Sequence, residues 1–136
     1  HVPAGRKLTY QASHVDIMPT ILDYVGHPIP KGIHGRSLRP IIEGRERDRP
    51  GLAFSERTGR RWFCRMICDG QWKYVYWNIG GRSELFNIVE DPLENKNLIG
   101  NKAYRGQVRR LHELLREWMA ETGDPKLAEM PKRPEG

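Results

Sequence analysis

Apolar residues recur every three or four positions in two stretches of the chain, which predicts two amphipathic helices. The first is expected over residues 16–25, with the Asp16 carboxylate accepting hydrogen bonds from the first turn and Gly26 ending the helix. Its apolar stripe consists of Met18, Ile21, Leu22 and Val25. A short helix over residues 38–43 is expected to follow, capped by the Ser37 hydroxyl.

The second amphipathic helix is the longest element that the pattern predicts. It is expected over residues 104–121, and Gly123 and Pro125 prevent its continuation. Its apolar stripe consists of Tyr104, Val108, Leu111, Leu115 and Trp118. His112 is expected in a structural role on the polar flank of this helix, and residues 126–136 are expected to form a tail.

Short runs rich in apolar and aromatic residues predict strands. They cover residues 7–15, 51–56 and 83–89, and a hairpin over residues 62–77. Residues 44–50 are expected to form a charged surface loop. In the hairpin, Asp69-Gly70 is typical of a two-residue type I′ turn. That turn pairs Ile67 with Trp72, Arg65 with Tyr74 and Phe63 with Tyr76 on one face, and Met66 with Lys73, Cys64 with Val75 and Trp62 with Trp77 on the other.

The order of these elements predicts an α+β fold, in which a small antiparallel sheet of three to four strands packs against the long C-terminal helix. The helix near the start is expected to belong to an α/β region that precedes this sheet. We therefore expect three parts: residues 1–44 as the end of an α/β region, residues 45–125 as a sheet-and-helix subdomain, and residues 126–136 as the tail.

Composition limits the classes of protein to which the chain can belong. With 136 residues and a formal net charge of +6, it fits one basic domain. It contains no apolar run near the roughly 20 residues that a membrane span needs, and no nucleic-acid-binding fold motif, so neither a membrane nor a nucleic acid is an expected partner. Cys64 and Cys68 are expected to be free thiols, because four strand residues separate their Cα atoms by about 13 Å.

Six short segments, in order along the chain, resemble motifs of one enzyme family. They are Asp16–Gly26 (D-x-x-P-T-x-L-x-x-x-G), Gly35–Leu38 (G-R-S-L), Arg65–Tyr74 (R-M-I followed by D-G-x-x-K-Y), Glu84–Asn87 (near E-L-Y-D), Asp91–Leu98 (D-P-x-E-x-x-N-L) and Thr122–Pro125. Together they resemble the C-terminal domain of sulfatases, in the arylsulfatase and N-sulfoglucosamine sulfohydrolase group of the alkaline-phosphatase-like superfamily.

The resemblance implies a parent enzyme that hydrolyses sulfate esters or sulfamates with calcium, or another divalent ion, and a formylglycine. Formylglycine is made from Cys or Ser in a Cys/Ser-x-Pro-x-Arg motif, and neither Cys64 nor Cys68 stands in one. We therefore expect no catalytic residue, metal ligand or cofactor in this chain, and no activity by the chain alone. Its expected partners are a missing N-terminal catalytic domain, a sulfated small molecule or glycan bound through the parent, and a second copy docked on an exposed face.

A substrate-shaping role is expected for a basic loop and two neighbouring positions. Arginine guanidinium groups bind oxyanions, and an indole ring can stack on a substrate ring. In the family, the strand that precedes the loop ends near the mouth of the active site. The candidate substrate-binding residues are His34, Glu56, Arg57, Arg60, Arg61 and Trp62.

Three other interpretations stay open from the sequence. The parent can be a phosphodiesterase or phosphonate hydrolase of the same superfamily, because the nucleophile that separates these enzymes from sulfatases lies outside this chain. The chain can be a basic module that binds sulfated polysaccharide or another polyanion, which predicts salt-sensitive binding. It can also be a scaffold that contacts no ligand.

Overall fold

Two units make up the chain in the computed structural model, residues 1–53 and residues 54–136. The structure describes residues 2, 4–5, 7–8, 10–46 and 51–134. Residue 9 of the predicted N-terminal strand and residues 47–50 of the predicted charged loop lie outside this set.

The first unit contains two short helices joined by a loop. A 3-10 turn at His14–Asp16 leads into α1 (Ile17–Tyr24), and α2 (Arg39–Ile42) follows. The Ser37 hydroxyl accepts a hydrogen bond from the Arg39 amide at 3.1 Å, as expected of a residue before a helix. The prediction of a strand over residues 7–15 was wrong, because the described residues before His14 make no ladder and the chain enters α1 through the 3-10 turn.

Asp16 organises the loop of the first unit instead of capping α1. One carboxylate oxygen accepts from the Ser13 amide at 3.1 Å, and the other accepts from the Arg36 amide at 3.0 Å. The prediction that this carboxylate binds the first-turn amides of α1 was therefore wrong. Gly35 lies so close to the Val15 carbonyl that a Cβ atom would stand 1.8 Å from its oxygen. The motif aspartate thus holds together two segments 20 residues apart in sequence.

The apolar stripe of α1 is largely exposed. Met18 is 46%, Ile21 57% and Val25 71% exposed. Pro19 is fully buried within its surroundings, and the Thr20 hydroxyl donates to the Asp16 carbonyl at 2.6 Å. The apolar face of α1, which the sequence pattern predicts to be buried, is therefore exposed to solvent.

The second unit is built on a four-stranded sheet in which sequence neighbours lie side by side. The strands are β1 (Ala53–Thr58), β2 (Phe63–Cys68), β3 (Trp72–Trp77) and β4 (Glu84–Asn87), in the order β1-β2-β3-β4. The β2–β3 and β3–β4 pairs are antiparallel. The α+β prediction, with three to four strands and a long C-terminal helix, is confirmed.

The hairpin of β2 and β3 turns one residue later than the sequence predicted. Ile67 pairs with Tyr74 and Cys68 with Lys73, so every partner is shifted by two residues. The physical reason is the Asp69 carboxylate, which accepts from the Gln71 amide at 3.0 Å and the Trp72 amide at 2.7 Å. This Asx-type turn places Gly70 (φ +92°) first in the two-residue loop. A shift of two residues leaves each side chain on its predicted face.

The longest helix, α3 (Arg105–Glu121), packs on one face of this sheet. Phe54 stacks on Trp118 with ring centroids 4.6 Å apart, and Trp72 meets Tyr104 at 5.2 Å. The buried apolar residues of α3 are Val108, Leu111, Leu115 and Met119, and the sheet contributes Phe63, Ile67, Trp72, Tyr74, Tyr76 and Leu85. Over the part of the chain that the structure describes, no helix has both the length and the apolarity needed to cross a bilayer.

His112 is fully buried between α3, the sheet and the C-terminal segment, so its prediction on a polar flank was wrong. It follows Val108 by one turn and precedes Leu115 by three residues, which puts it on the buried face of the helix. Its Nε2 donates to the Pro131 carbonyl at 2.8 Å, which leaves Nδ1 of the neutral ring to accept from the Tyr74 hydroxyl at 3.1 Å. Burial lowers the pKa of this imidazole.

The C-terminal segment, expected as a tail, packs against α3. A 3-10 turn at Leu127–Glu129 follows the helix, and Met130 is 3% exposed. The Arg116 guanidinium donates to the Met130 and Pro131 carbonyls. Side-chain donors on α3 thus hold a segment that has no regular secondary structure over residues 130–134, and residues 135–136 of the predicted tail lie outside the described set.

Candidate functional site

The loop between β1 and β2 carries the cations predicted to meet substrate. The Gly59 amide donates to the Trp62 carbonyl at 2.8 Å and closes the loop. A Cβ atom at this position would lie 2.4 Å from the Trp62 indole, so any other residue would displace that ring. The indole also contacts Trp77, at 5.7 Å between ring centroids, and the Arg57 guanidinium, at 5.2 Å. Trp62 is therefore half-buried and holds the loop in shape.

Arg60 and Arg61 are exposed at the rim of a small depression of about 140 Å³. It is lined by Gly59, Arg60, Arg61, Trp62, Phe63, Asn78, Lys126 and Glu129. Lys126 and Glu129 pair with each other at 2.6 Å. Within the described ranges, no carboxylate pairs with Arg60 or Arg61. The depression therefore presents excess positive charge to solvent and suits an anionic group.

Glu56 was predicted to pair with an arginine of the β1–β2 loop. Within the described residues it pairs with Arg65 of β2 instead. Its carboxylate is 63% exposed and lies 3.7 Å from Nε of Arg65. Arg57 instead lies over the Trp62 ring. The alternation of side chains along β1 explains this difference, since Glu56 and Arg57 point to opposite faces of the sheet.

A buried ion pair between Arg65 and Asp124, which was not predicted from the sequence, contacts the residues at the start of this loop. Arg65 and Asp124 each have a side chain only 3% exposed, and Nε donates to Oδ2 at 2.5 Å while Nη2 donates to Oδ1 at 3.1 Å. Nη1 of Arg65 donates to the Arg57 carbonyl at 3.3 Å and to the Thr58 hydroxyl at 3.2 Å. The hydrogen bonds from Arg65 hold the pKa of the Asp124 carboxyl below its usual range.

This pair joins two of the motifs that carry the family resemblance. Arg65 opens the R-M-I segment and Asp124 lies in the Thr122–Pro125 segment, 59 residues away. Opposite charges in two recognised motifs were the signal from which such a contact could have been predicted. The bidentate pair ties the end of α3 to the base of the β1–β2 loop.

A second and larger depression, also missed from the sequence, lies next to Trp77. It measures about 370 Å³ and is lined by Trp77, Gly81, Arg82, Glu84 and Asn97. Arg82 is exposed. The Asn97 side chain accepts from the Leu85 amide at 3.0 Å, which fixes that wall. No sequence motif marked Arg82, because it stands in a Gly-rich connection between strands.

His34 belongs to a different unit from the other predicted site residues. It is exposed in the loop of the first unit, between Gly32 (φ +81°) and the tightly packed Gly35. The other predicted residues lie in the second unit. The structure therefore brings Arg57, Arg60, Arg61 and Trp62 together in one loop of the second unit, with Glu56 nearby on β1.

The donor set of the described residues does not fit the metal that the family resemblance implies for a parent, and neither cysteine stands in a formylglycine motif. Among the residues that the structure describes, no group of three or more His, Cys, Asp or Glu side chains is placed to hold a metal ion. Cys64 and Cys68 are free thiols on the same face of β2. Burial raises the pKa of both thiols, which keeps them protonated near neutral pH.

Comparison with known proteins identifies relatives of this chain. Residues 1–121 match the family described as N-sulphoglucosamine sulphohydrolase, C-terminal. An arylsulfatase of Clostridium perfringens (strain 13 / Type A) is 29% identical over 100 residues, which cover 74% of this chain and 21% of the relative.

Solved structures show the same fold. A Bacteroides thetaiotaomicron protein described as a candidate sulfatase superposes with a TM-score of 0.75 at 26% identity, covering 83% of this chain and 25% of that one. The phosphonate monoester hydrolase of Agrobacterium radiobacter gives a TM-score of 0.69 at 25% identity, covering 87% and 27%. In eight curated relatives, the match spans between 20% and 29% of the relative's length.

The family match runs through both units and includes five of the six motifs, from the Asp16 loop to the Asn97 turn, and it ends just before Thr122–Pro125. The prediction made from those motifs is confirmed. The chain belongs to the N-sulphoglucosamine sulphohydrolase C-terminal family, the C-terminal domain of sulfatases.

Proposed function

We propose that this chain is the C-terminal part of a sulfuric ester hydrolase, in which it completes the fold, forms one wall of the substrate cleft and has no activity alone. The observation that carries the proposal is the family match over residues 1–121 in a chain that covers only 21% of an arylsulfatase relative. The remaining length of such a relative has room for the nucleophile and the metal site.

Exposed apolar residues in α1 and at its two ends indicate that a partner covers this helix. Val15, Ile17, Met18, Ile21 and Val25 are each between 46% and 71% exposed. Each buried side chain of this size contributes roughly 1.5–3 kcal/mol when it leaves water, so a covered α1 is strongly favoured. We propose that the N-terminal catalytic domain of the same polypeptide covers this face. The alternative is that a second copy of the chain covers this face. Sedimentation of the isolated chain distinguishes the two, because only the alternative predicts a dimer.

The β1–β2 loop is the part of the chain that we propose meets substrate. Arg60 and Arg61 supply exposed guanidinium groups, and Arg57 and Trp62 hold the loop that presents them. Guanidinium groups form charge-assisted hydrogen bonds to oxyanions, as in a sulfated sugar or aryl sulfate. Glu56 and His34 are retained as further candidates, Glu56 through its contact with Arg65.

Calcium and formylglycine, if the parent uses them, belong to its other residues. A formylglycine would supply an oxygen nucleophile, and a divalent cation would neutralise sulfate oxygens. The residues of this chain contribute to substrate binding and to the shape of the cleft. Arg60 and Arg61 are exposed for contact with an anion, and the Arg65–Asp124 pair holds the β1–β2 loop in place.

A phosphodiesterase or phosphonate hydrolase is the second candidate for the parent. The similarity to a phosphonate monoester hydrolase, at a TM-score of 0.69, keeps it open. The C-terminal part does not contain the nucleophile that separates the two activities, so the loop cations suit either anion. The family match favours sulfate esters or sulfamates.

The test compares the 136-residue chain with the product of the whole reading frame that encodes it. We expect the long polypeptide to hydrolyse 4-nitrophenyl sulfate and the 136-residue chain to release no nitrophenol. In the long polypeptide, Arg60→Gln combined with Arg61→Gln should raise KM, while Arg105→Gln combined with Arg109→Gln, which removes two exposed charges on α3, should not. Hydrolysis by the 136-residue chain alone contradicts the proposal, and so does a long polypeptide that cleaves only phosphonate or phosphate esters.

A further inference from the structure

The two depressions of the second unit share one wall. Trp62 lines the smaller depression and Trp77 lines the larger. The two indoles are in contact, with ring centroids 5.7 Å apart and planes inclined by 43°. Asn78, which follows Trp77, lines the smaller depression and accepts from the Phe63 amide at 2.7 Å. The depressions therefore lie side by side at the end of the hairpin opposite its turn.

Unpaired cations stand on both sides of this aromatic wall. Arg60 and Arg61 lie at the smaller depression and Arg82 lies at the larger one. Within the described residues, none of the three pairs with a carboxylate. The surface formed by the two depressions is therefore positive at both ends, with the apolar rings of Trp62 and Trp77 between them.

One carboxylate limits where a negative group can bind. Glu84 lines the larger depression, and its charge disfavours a sulfate beside it. A carboxylate accepts hydrogen bonds from hydroxyl groups, which every sugar offers. Glu129 lines the smaller depression, but Lys126 already neutralises it at 2.6 Å. A ligand with both hydroxyl and sulfate groups satisfies this pattern better than a uniformly charged polymer.

We propose that the Trp62–Trp77 pair and its flanking arginines form one binding strip for a multiply sulfated oligosaccharide. Sulfate groups bind Arg60 and Arg61 at one end and Arg82 at the other, and a sugar ring lies over the indole surface between them. Glu84 and the Asn97 wall accept or orient sugar hydroxyls. This inference deepens the proposed function and rests on it, since it takes the ligand of the β1–β2 loop to be a sulfated sugar.

The strip predicts that chain length and sulfation of the ligand both matter. An oligosaccharide long enough to engage both cationic ends at once gains affinity, because linked contacts raise affinity without new interactions. Salt weakens the binding because exposed charges are screened over about 10 Å at 0.1 M ionic strength. A chemically desulfated hexasaccharide of the same length loses the arginine contacts.

The experiment measures the affinity of the 136-residue chain for a size-defined heparin hexasaccharide by isothermal titration calorimetry. The variants are Arg82→Gln, the double Arg60→Gln/Arg61→Gln, and Arg109→Gln as the matched control. All four arginines are exposed, so these replacements leave the core intact. We expect Arg82→Gln and the double variant each to bind at least about tenfold more weakly, the loss of a charge-assisted hydrogen bond, and Arg109→Gln to bind like the parent chain.

The outcomes separate this inference from the proposed function. If the double variant weakens binding while Arg82→Gln behaves like Arg109→Gln, the strip is overturned and the loop contact survives. If both behave like Arg109→Gln, the loop contact fails as well. Equal binding of the desulfated hexasaccharide, or tighter binding of a single-stranded oligonucleotide of matched charge, overturns the assignment to a sulfated sugar.

Discussion

Replacing Asp124 with alanine isolates the energetic role of the buried ion pair under the candidate site. The carboxylate neutralises a guanidinium that is only 3% exposed and accepts two of its hydrogen bonds. Removing one partner of such a pair leaves a buried charge and costs about 3–5 kcal/mol. Glu56, 3.7 Å from Arg65 and well exposed, can take up part of this charge, so we expect a value near the lower end of that range.

Urea unfolding followed by tryptophan fluorescence measures this loss directly. All four tryptophans, at positions 62, 72, 77 and 118, lie in the second unit, so the signal reports the unit that contains the pair. Glu129→Ala is the matched control. It removes the carboxylate of an ion pair whose side chains are 33% and 50% exposed, and such surface pairs contribute about 0–1 kcal/mol.

A double replacement separates a buried charge from lost packing. Arg65→Met combined with Asp124→Leu removes both charges, and apolar replacements of a buried pair are often neutral or stabilising. We expect the double variant to be more stable than Asp124→Ala. The reasoning is refuted if Asp124→Ala loses no more free energy of unfolding than Glu129→Ala, or if the double variant is the least stable of the three.

Two further predictions follow from the packing. Burial places the pKa of His112 below its usual 6.5, so the unfolded chain takes up the proton first, and stability should fall as pH drops from about 6.5 toward the folded pKa. Urea midpoints near pH 7.5 and near pH 5 should differ for the native chain and for the exposed-histidine variant His34→Gln, but much less for His112→Gln; equal pH slopes in all three would contradict this. Ile21→Asp should lower the melting temperature of the whole reading-frame product but not of the 136-residue chain, whereas Leu93→Asp, at a position 81% exposed, should change neither. An unchanged melting temperature of the long Ile21→Asp polypeptide would show that nothing covers α1.

The sequence by itself determined the types of the main elements and the family. The three- and four-residue apolar spacing was enough for α1 and α3, because a helix has to align such residues on one side. The alternation around Asp69 and Gly70 identified the hairpin, and the strand faces were correct. The motifs identified the sulfatase domain because each combines a turn or cap residue with its neighbours at a fixed local spacing.

Tertiary structure decided the features that depend on distant partners. The hairpin register followed from which amides the Asp69 carboxylate accepts, and Asp16 bound the distant Arg36 amide instead of its own helix. His112 was buried because a carbonyl from the C-terminal segment and a hydroxyl from β3 satisfy both ring nitrogens. No local pattern contains these contacts, since hydrogen-bond partners far apart in sequence are chosen by packing and not by spacing.

The candidate site divides in the same way. The cluster of arginines in the β1–β2 loop was visible as composition, because those residues are adjacent in sequence. The Trp62–Trp77 contact and the position of Arg82 beside it depend on the sheet, which brings the end of β3 next to the start of β2. Burial of polar groups and the assembly of a surface from separate strands are properties of the folded chain, and the sequence alone does not specify them.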